Sequence, residues 1–177
     1  MQRRTFIKVS AVGGIAAGVA VAGYVGLSAK RDGRVLTIQY ALDKIDALRN
    51  QKVTTRGEWS GFRIFNHIAQ SIEFSLSGYP EQKSAVFQNT VGALAFSIFS
   101  TRGAMRHGLA EPIPGAPALE ESGDILQALD RLKNAFITFD NHSGELAPHF
   151  AYGRLTKEEY AAAHVMHFNN HLDEIVV

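Results

Sequence analysis

The C-terminal run Thr156-Lys157-Glu158-Glu159-Tyr160-Ala161-Ala162-Ala163-His164-Val165-Met166-His167-Phe168-Asn169-Asn170-His171-Leu172 sets the architecture expected for the whole chain. It opens on a capping box, with Thr156 at the cap position and Glu159 three residues on, so a helix begins here. Tyr160, Ala161, Val165, Phe168, Leu172 and Ile175 recur at helical spacing and form its apolar face. His164, His167 and His171 fall within a sector of about 60° at 100° per residue, so the three share one side, at the margin of that face. His167 and His171 are four apart, one turn above the other. That spacing lets two imidazoles reach a single metal ion. One ligand from elsewhere completes an open three-ligand site; three half-exposed histidines satisfy the same pattern.

Working outward, the other segments also read as helices. Val35 to Arg49 carries Val35, Ile38, Leu42, Ile45 and Leu48 at a three- to four-residue period. Ser60 caps a second helix with Phe62, Phe65, Ala69, Ile72 and Leu76 on one side, ending at Ser77-Gly78-Tyr79-Pro80. His67 lies at the border of that stripe, where phase alone reads it as a surface or hydrogen-bonded residue. A third helix is expected from about 81 to 101, with Phe87, Val91, Leu94 and Ile98 in register. The connection 108–118, with Pro112, Pro114, Gly115 and Pro117, cannot form regular structure, and His107 at its entrance reads as solvated. The clearest helix starts after Ser122, with Ile125, Leu129, Leu132, Phe136 and Phe139 as its core stripe. The expectation is an all-α domain over residues 30–177 with no useful strand alternation.

Composition narrows the function. With 177 residues, 46% hydrophobic and 20% charged, the chain has enough apolar content for one globular domain. A net charge of +1 without a basic patch argues against a nucleic-acid partner. The absence of cysteine excludes disulfides, thiolate-bound metal and a thiol nucleophile, so any thiol chemistry must use an external thiol. There is no Gly-rich phosphate loop and no Gly-x-Ser-x-Gly or Ser-x-x-Lys nucleophile motif.

Residues 1–29 read as a targeting segment. Arg3-Arg4, followed by Phe6-Ile7-Lys8 and then an uncharged Ala/Gly/Val-rich run over residues 9–29, resembles the twin-arginine export signal of bacteria and archaea. About 21 residues at 1.5 Å each span about 31 Å, so an uncleaved segment would also anchor the chain in a membrane. The expected location is the periplasm or cell envelope, and the expected partner is the twin-arginine export machinery.

Trp59-Ser60, Asn66-His67-Ile68-Ala69-Gln70-Ser71-Ile72-Glu73, Ser75-Leu76-Ser77-Gly78-Tyr79-Pro80, His149 with Tyr152-Gly153-Arg154-Leu155-Thr156, and His167-Phe168-Asn169-Asn170-His171-Leu172 together resemble the DinB-like superfamily, more narrowly a bacterial branch of it. The resemblance covers most of the chain after residue 35. It implies a four-helix bundle holding a divalent ion, nickel or zinc, on three histidines: one on the second helix and an i, i+4 pair on the last. Carried over, these are His67, His167 and His171, which reverses the reading of His67 by phase. Two positions depart from the pattern: Asn170 stands where many relatives have histidine, and His149-Phe150-Ala151-Tyr152-Gly153 replaces a His-Pro-aromatic-Phe-Gly loop.

The resemblance further implies a metal-dependent transferase or hydrolase acting on a small molecule, with an external thiol among the co-substrates. Glu73 and Glu174 are carboxylates able to orient an imidazole N–H or act as a base, although solvated helix charges are the commoner role. The rival is a non-catalytic envelope module that holds a metal or ligand. A homodimer is compatible with either.

Overall fold

A computed structural model describes residues 32–177. The export signal and anchor expected over residues 1–29 lie outside the described residues. Among the described residues, no helix is long and apolar enough to cross a membrane.

The chain runs α1 (Ile38–Leu48), β1 (Thr54–Thr55), α2 (Gly61–Ser77), α3 (Ala85–Phe87), a π-helical turn (Gln88–Gly92), α4 (Ala93–Arg102), α5 (Ile125–Asn141), α6 (Lys157–Leu172) and β2 (Ile175–Val176). The all-α expectation holds apart from one short antiparallel pairing, Thr54 with Val176 and Thr55 with Ile175, which the sequence reading missed. Two residues per strand are too few for period-two alternation to register.

Side-chain caps start α1, α2, α5 and α6. Thr37, Ser60 and Asp124 accept hydrogen bonds from the backbone N–H groups of Tyr40, Arg63 and Leu126. The capping box at Thr156 and Glu159 is present in both directions, so two otherwise orphaned donors of α6 are satisfied. At the other end of α6, Arg34 donates to the Asn169 carbonyl at 3.1 Å and to Asp173 at 2.9 Å, placing a cation where the helix dipole is negative.

Helices α1, α2, α5 and α6 share one core, with α2 and α5 in the most extensive contact. The stripe foreseen on α5 is that core: Leu129, Leu132, Phe136 and Phe139 are fully buried and Ile125 packs against them. On α2 the buried face is broader than its stripe and takes in Ile64 and Ile68. A second, smaller cluster joins Phe96 of α4 and Met105 to Ala163 and Met166, so α6 is covered on a side the main core does not reach.

The third expected helix is corrected by this arrangement. Val91 and Leu94 of the anticipated stripe stand 56% and 36% exposed, and Phe96 is buried instead. A π turn inserts an extra residue, which rotates everything after it by about 100° relative to an unbroken α-helix. The turn ends at Gly92, where an added Cβ would lie 1.9 Å from the Ala151 carbonyl oxygen. The helix therefore passes directly against the 149–153 loop.

Truncating Phe136 to Ala removes a fully buried ring from the centre of the core, with an expected loss of about 3–5 kcal/mol. Thr156→Ala removes one side of the α6 capping box, with an expected loss of about 1 kcal/mol. Urea denaturation of the two variants checks both the order and the size.

Candidate metal centre

His67, His167 and His171 are brought together in the interior. Their ligand nitrogens all lie within 4.8 Å of one another, and each residue is buried. His67 comes from the middle of α2, the other two from the last turns of α6. The crossing of these two helices makes the cluster. Ring centroids stand 5.1 Å apart for His67 and His167, 5.2 Å for His67 and His171, and 4.9 Å for His167 and His171.

Burial holds these rings neutral. Desolvation, reinforced by His107 and Arg63, pushes His67 down to about 4. His171 is pushed to about 2 by desolvation and then by His67 and His107, and His167 also lies well below the usual histidine range for the same reasons. Each ring thus keeps a lone pair at neutral pH, the form that binds a metal.

Hydrogen bonding says which nitrogens are free. Nε2 of His171 lies 3.1 Å from Nε2 of His167. Two nitrogens held about 2.0–2.1 Å from one ion, at 90–109° to each other, stand about 2.9–3.4 Å apart, so this spacing fits a shared ion. His171 Nδ1, on the other side of the ring, is buried without a hydrogen-bond partner, and so is Glu174 Oε2, 3.8 Å away. A proton on Nδ1 makes that contact attractive and leaves Nε2 as a lone pair toward His167. His67 Nδ1 is likewise buried and unpartnered. The donor set fits a divalent ion bound by three imidazoles.

Glu174 reaches this place through Gly57, where an added Cβ would stand 1.8 Å from its Oε1. The short β pairing and the bond from Arg56 N–H to the Glu174 carbonyl, 3.0 Å, hold the two segments together. Glu174, for which a solvated helix charge is the commoner reading, is half-buried instead and stands 3.8 Å from His171 Nδ1. Glu73 is different: Arg131 holds it with bonds of 2.9 and 2.6 Å while also donating to Asn66, so it is an ion-pair partner away from the cluster.

The remaining histidines divide by their partners. Ser75 donates its hydroxyl to the Ile72 carbonyl at 2.6 Å, so the 3.1 Å contact with His164 Nε2 is donated by His164. His164 is a satisfied core residue packed on Phe139 and Tyr160 rather than a fourth member on the His167 face. The margin position read for the α6 histidines is corrected too, because the helix is buried continuously from Ala163 to His171. His149 Nδ1 accepts from the backbone N–H of Ala151 and Tyr152, at 3.1 and 3.2 Å, which puts the ring proton on Nε2. Asn170 is buried with its amide nitrogen unpartnered.

His107, read from sequence as solvated, is corrected by the structure: its ring is 4.8 Å from that of His167 and 5.2 Å from that of His171. No periodicity marks a loop residue, and nothing short of the packed structure places it there.

A cavity of about 220 Å³ adjoins the cluster. Its wall includes His67, His107, His149, His164 and His167, with Phe150, Tyr152 and Ile113 as apolar surface and Lys83 and Glu111 as the charged residues. The site therefore has a floor of neutral imidazoles and a mouth with one cation and one anion.

No curated protein and no solved structure matches the chain. A family model does, over residues 28–177, which includes both histidine-bearing helices and the whole cavity wall. The chain belongs to the family described as protein of unknown function (DUF1569).

Proposed function

We propose that this protein is a DinB-like four-helix bundle, exported through the twin-arginine pathway, that uses a nickel or zinc ion on His67, His167 and His171 to catalyse transfer or hydrolysis on a small molecule. One observation carries the reading: three buried, neutral imidazoles converge beside a cavity of about 220 Å³. A structural histidine cluster has no need of an adjoining cavity, and a surface cluster would not be desolvated.

An ion with open positions supplies Lewis acidity and lowers the pKa of a bound water or thiol. The rest of the work falls to the chain. Glu174, whose Oε2 lies 3.8 Å from His171 Nδ1, sets a carboxylate beside the ring nitrogen that faces away from His167 and favours the tautomer with its proton there. His149, its Nδ1 occupied, offers Nε2–H as a fixed donor to a substrate oxygen. Phe150, Tyr152 and Ile113 exclude water around an apolar substrate body, while Lys83 at the mouth favours a negatively charged group. Tyr152 is held protonated, its pKa pushed up by burial to about 12, so its hydroxyl enters as a hydrogen-bond donor and not as a base. A second reading, binding without turnover, draws support from the cavity wall offering one carboxylate, Glu111, which is exposed to solvent.

Elemental analysis of purified protein is expected to find one equivalent of zinc or nickel, lost in His67→Ala and His171→Ala while far-UV circular dichroism stays helical. A protein that takes up no divalent ion excludes the catalytic reading and leaves only metal-free ligand binding of the second. Glu174→Gln and Gly57→Ala, which disturb the same contact from its two sides, are each expected to weaken zinc binding about 10–100-fold in a chelator competition.

The buried histidines also set the pH response. His67 is depressed to about 4 and His149 and His164 to about 3, all chiefly by desolvation. Because these folded-state values lie below the unfolded value of about 6.5, the unfolded chain binds more protons as pH falls. Stability is full above about pH 6.5 and is lost as pH drops toward 4 and 3. The thermal midpoint of metal-free protein is expected to decline across that window. Zinc affinity of the folded protein, measured over the same range, is expected to stay nearly flat between pH 7 and 5. Histidines of ordinary pKa would each lose about thirtyfold by pH 5 through proton competition.

A further inference from the structure

The connection between α4 and α5 enters the metal centre at one residue. Gly103 ends α4 in the left-handed region, at φ 68°, and Met105 then buries against Phe96, Ala163 and Met166. Two residues later the ring of His107 meets those of His167 and His171.

Its tautomer follows from its neighbour. His107 Nδ1 lies 2.9 Å from the carbonyl oxygen of Gly108, and since a carbonyl only accepts, Nδ1 carries the proton and donates. Nε2 is therefore a lone pair. It is buried and has no hydrogen-bond partner among the described residues. A histidine present only for packing has no reason to bury a bare acceptor, because an unmade hydrogen bond there is costly.

Ring spacing points the same way. An imidazole bound through nitrogen at about 2.0–2.1 Å has its centre about 3.2 Å from the ion, and two such rings at the tetrahedral angle stand about 5.2 Å apart. The three pairs among His67, His167 and His171 measure 4.9–5.2 Å, and the two pairs that His107 makes measure 4.8 and 5.2 Å. His107 has a ligand's ring spacing to two of the three, while its nitrogens stand outside the group of His67, His167 and His171 whose ligand atoms lie within 4.8 Å of one another, so it must shift toward His67 to bind.

We propose that His107 is a fourth, exchangeable ligand of the ion held by His67, His167 and His171, carried on the wall of the cavity. This rests on the three-histidine reading. Three ligands stand on long helices, whereas the fourth stands on the segment that also gives the cavity Glu111, Pro112 and Ile113. A small anionic molecule, such as a thiolate or carboxylate, entering the cavity would take the position that His107 leaves. With His107 bound, the ion is closed by four nitrogens; with it released, the ion opens toward the cavity.

The direct test is X-ray absorption at the zinc edge on the zinc-loaded full chain, where multiple scattering from the outer ring atoms counts the imidazoles and distinguishes four from three plus a water oxygen. Four are expected. In the cobalt-substituted protein, His107→Ala and His107→Gln are expected to change the visible ligand-field spectrum, and added imidazole is expected to restore it in His107→Ala. Both variants should retain one equivalent of zinc with affinity lower by at least about tenfold, the loss that even an outer partner of a ligand causes. Three imidazoles in the wild-type spectrum, or variants whose cobalt spectrum and zinc affinity match wild type, overturn the proposal and leave the three-histidine site standing. Loss of all metal binding in the wild-type protein overturns that underlying reading instead.

Discussion

Desolvation of α6 is the constraint on which the rest depends. A helix at the edge of a bundle buries one face and leaves its polar residues in water, but α6 is buried from Ala163 to His171 on every side. The histidines there are largely withdrawn from the solvent that would stabilise their charge, so they are neutral, and each brings one N–H and one lone pair that need partners. The protein meets that need unevenly. His164 donates to Ser75 and His149 accepts from two backbone N–H groups. His67, His107 and His171 each keep a buried nitrogen without a partner. His167 and His171 face each other through Nε2 at 3.1 Å, so the histidines of the cluster are turned toward one another while His164 and His149 are turned to other partners.

Holding α6 fixed is then the task of the surrounding chain. Sliding the helix by one residue would move His167 and His171 by about 1.5 Å along the axis and rotate them by about 100°, enough to dissolve the cluster. Its start is fixed by the Thr156 and Glu159 capping box, its end by Arg34 on the Asn169 carbonyl. Just past that end, the β1–β2 pairing sets Glu174 against Gly57 and next to His171. The same few residues therefore terminate the helix and supply the carboxylate beside its last histidine.

How much of this was legible follows from what kind of signal each feature leaves. The capping box, the Ser60 cap and the α5 stripe depend on residues a few positions apart, and local spacing reveals them. The His167 and His171 pair belongs to the same class. His67 had no such signal, since its phase on α2 marks it as a border residue; only the family resemblance singled it out, and the fold then places it opposite the pair. Glu73 and Glu174 look alike as letters, yet Arg131, distant in sequence, decides the first and Gly57 the second. The π turn escaped because an inserted residue shifts the phase without altering composition, and the stripe read across it joined two unrelated faces. His107 left no trace because loops carry no period.

The distribution of residues around the cavity carries a last step. The three converging histidines project from α2 and α6, elements fixed by the shared core, and their separation cannot change without disturbing that core. Nearly everything else the cavity offers a ligand comes from non-helical chain: Lys83 before α3, the 105–114 segment, and the 149–152 loop with its stacked His149 and Tyr152. Gly92 ties that loop to the π turn, and Gln70 ties the proline-rich connection to α2 through the Pro117 carbonyl at 3.2 Å. Rigid donors and adjustable walls have opposite requirements, since a metal site tolerates displacements of only a few tenths of an ångström whereas substrate entry demands larger ones. Placing them on helices and loops respectively satisfies both in one small domain. His107 stands at the boundary, a loop residue beside two helical histidines, which is the position that the proposed exchangeable ligand requires.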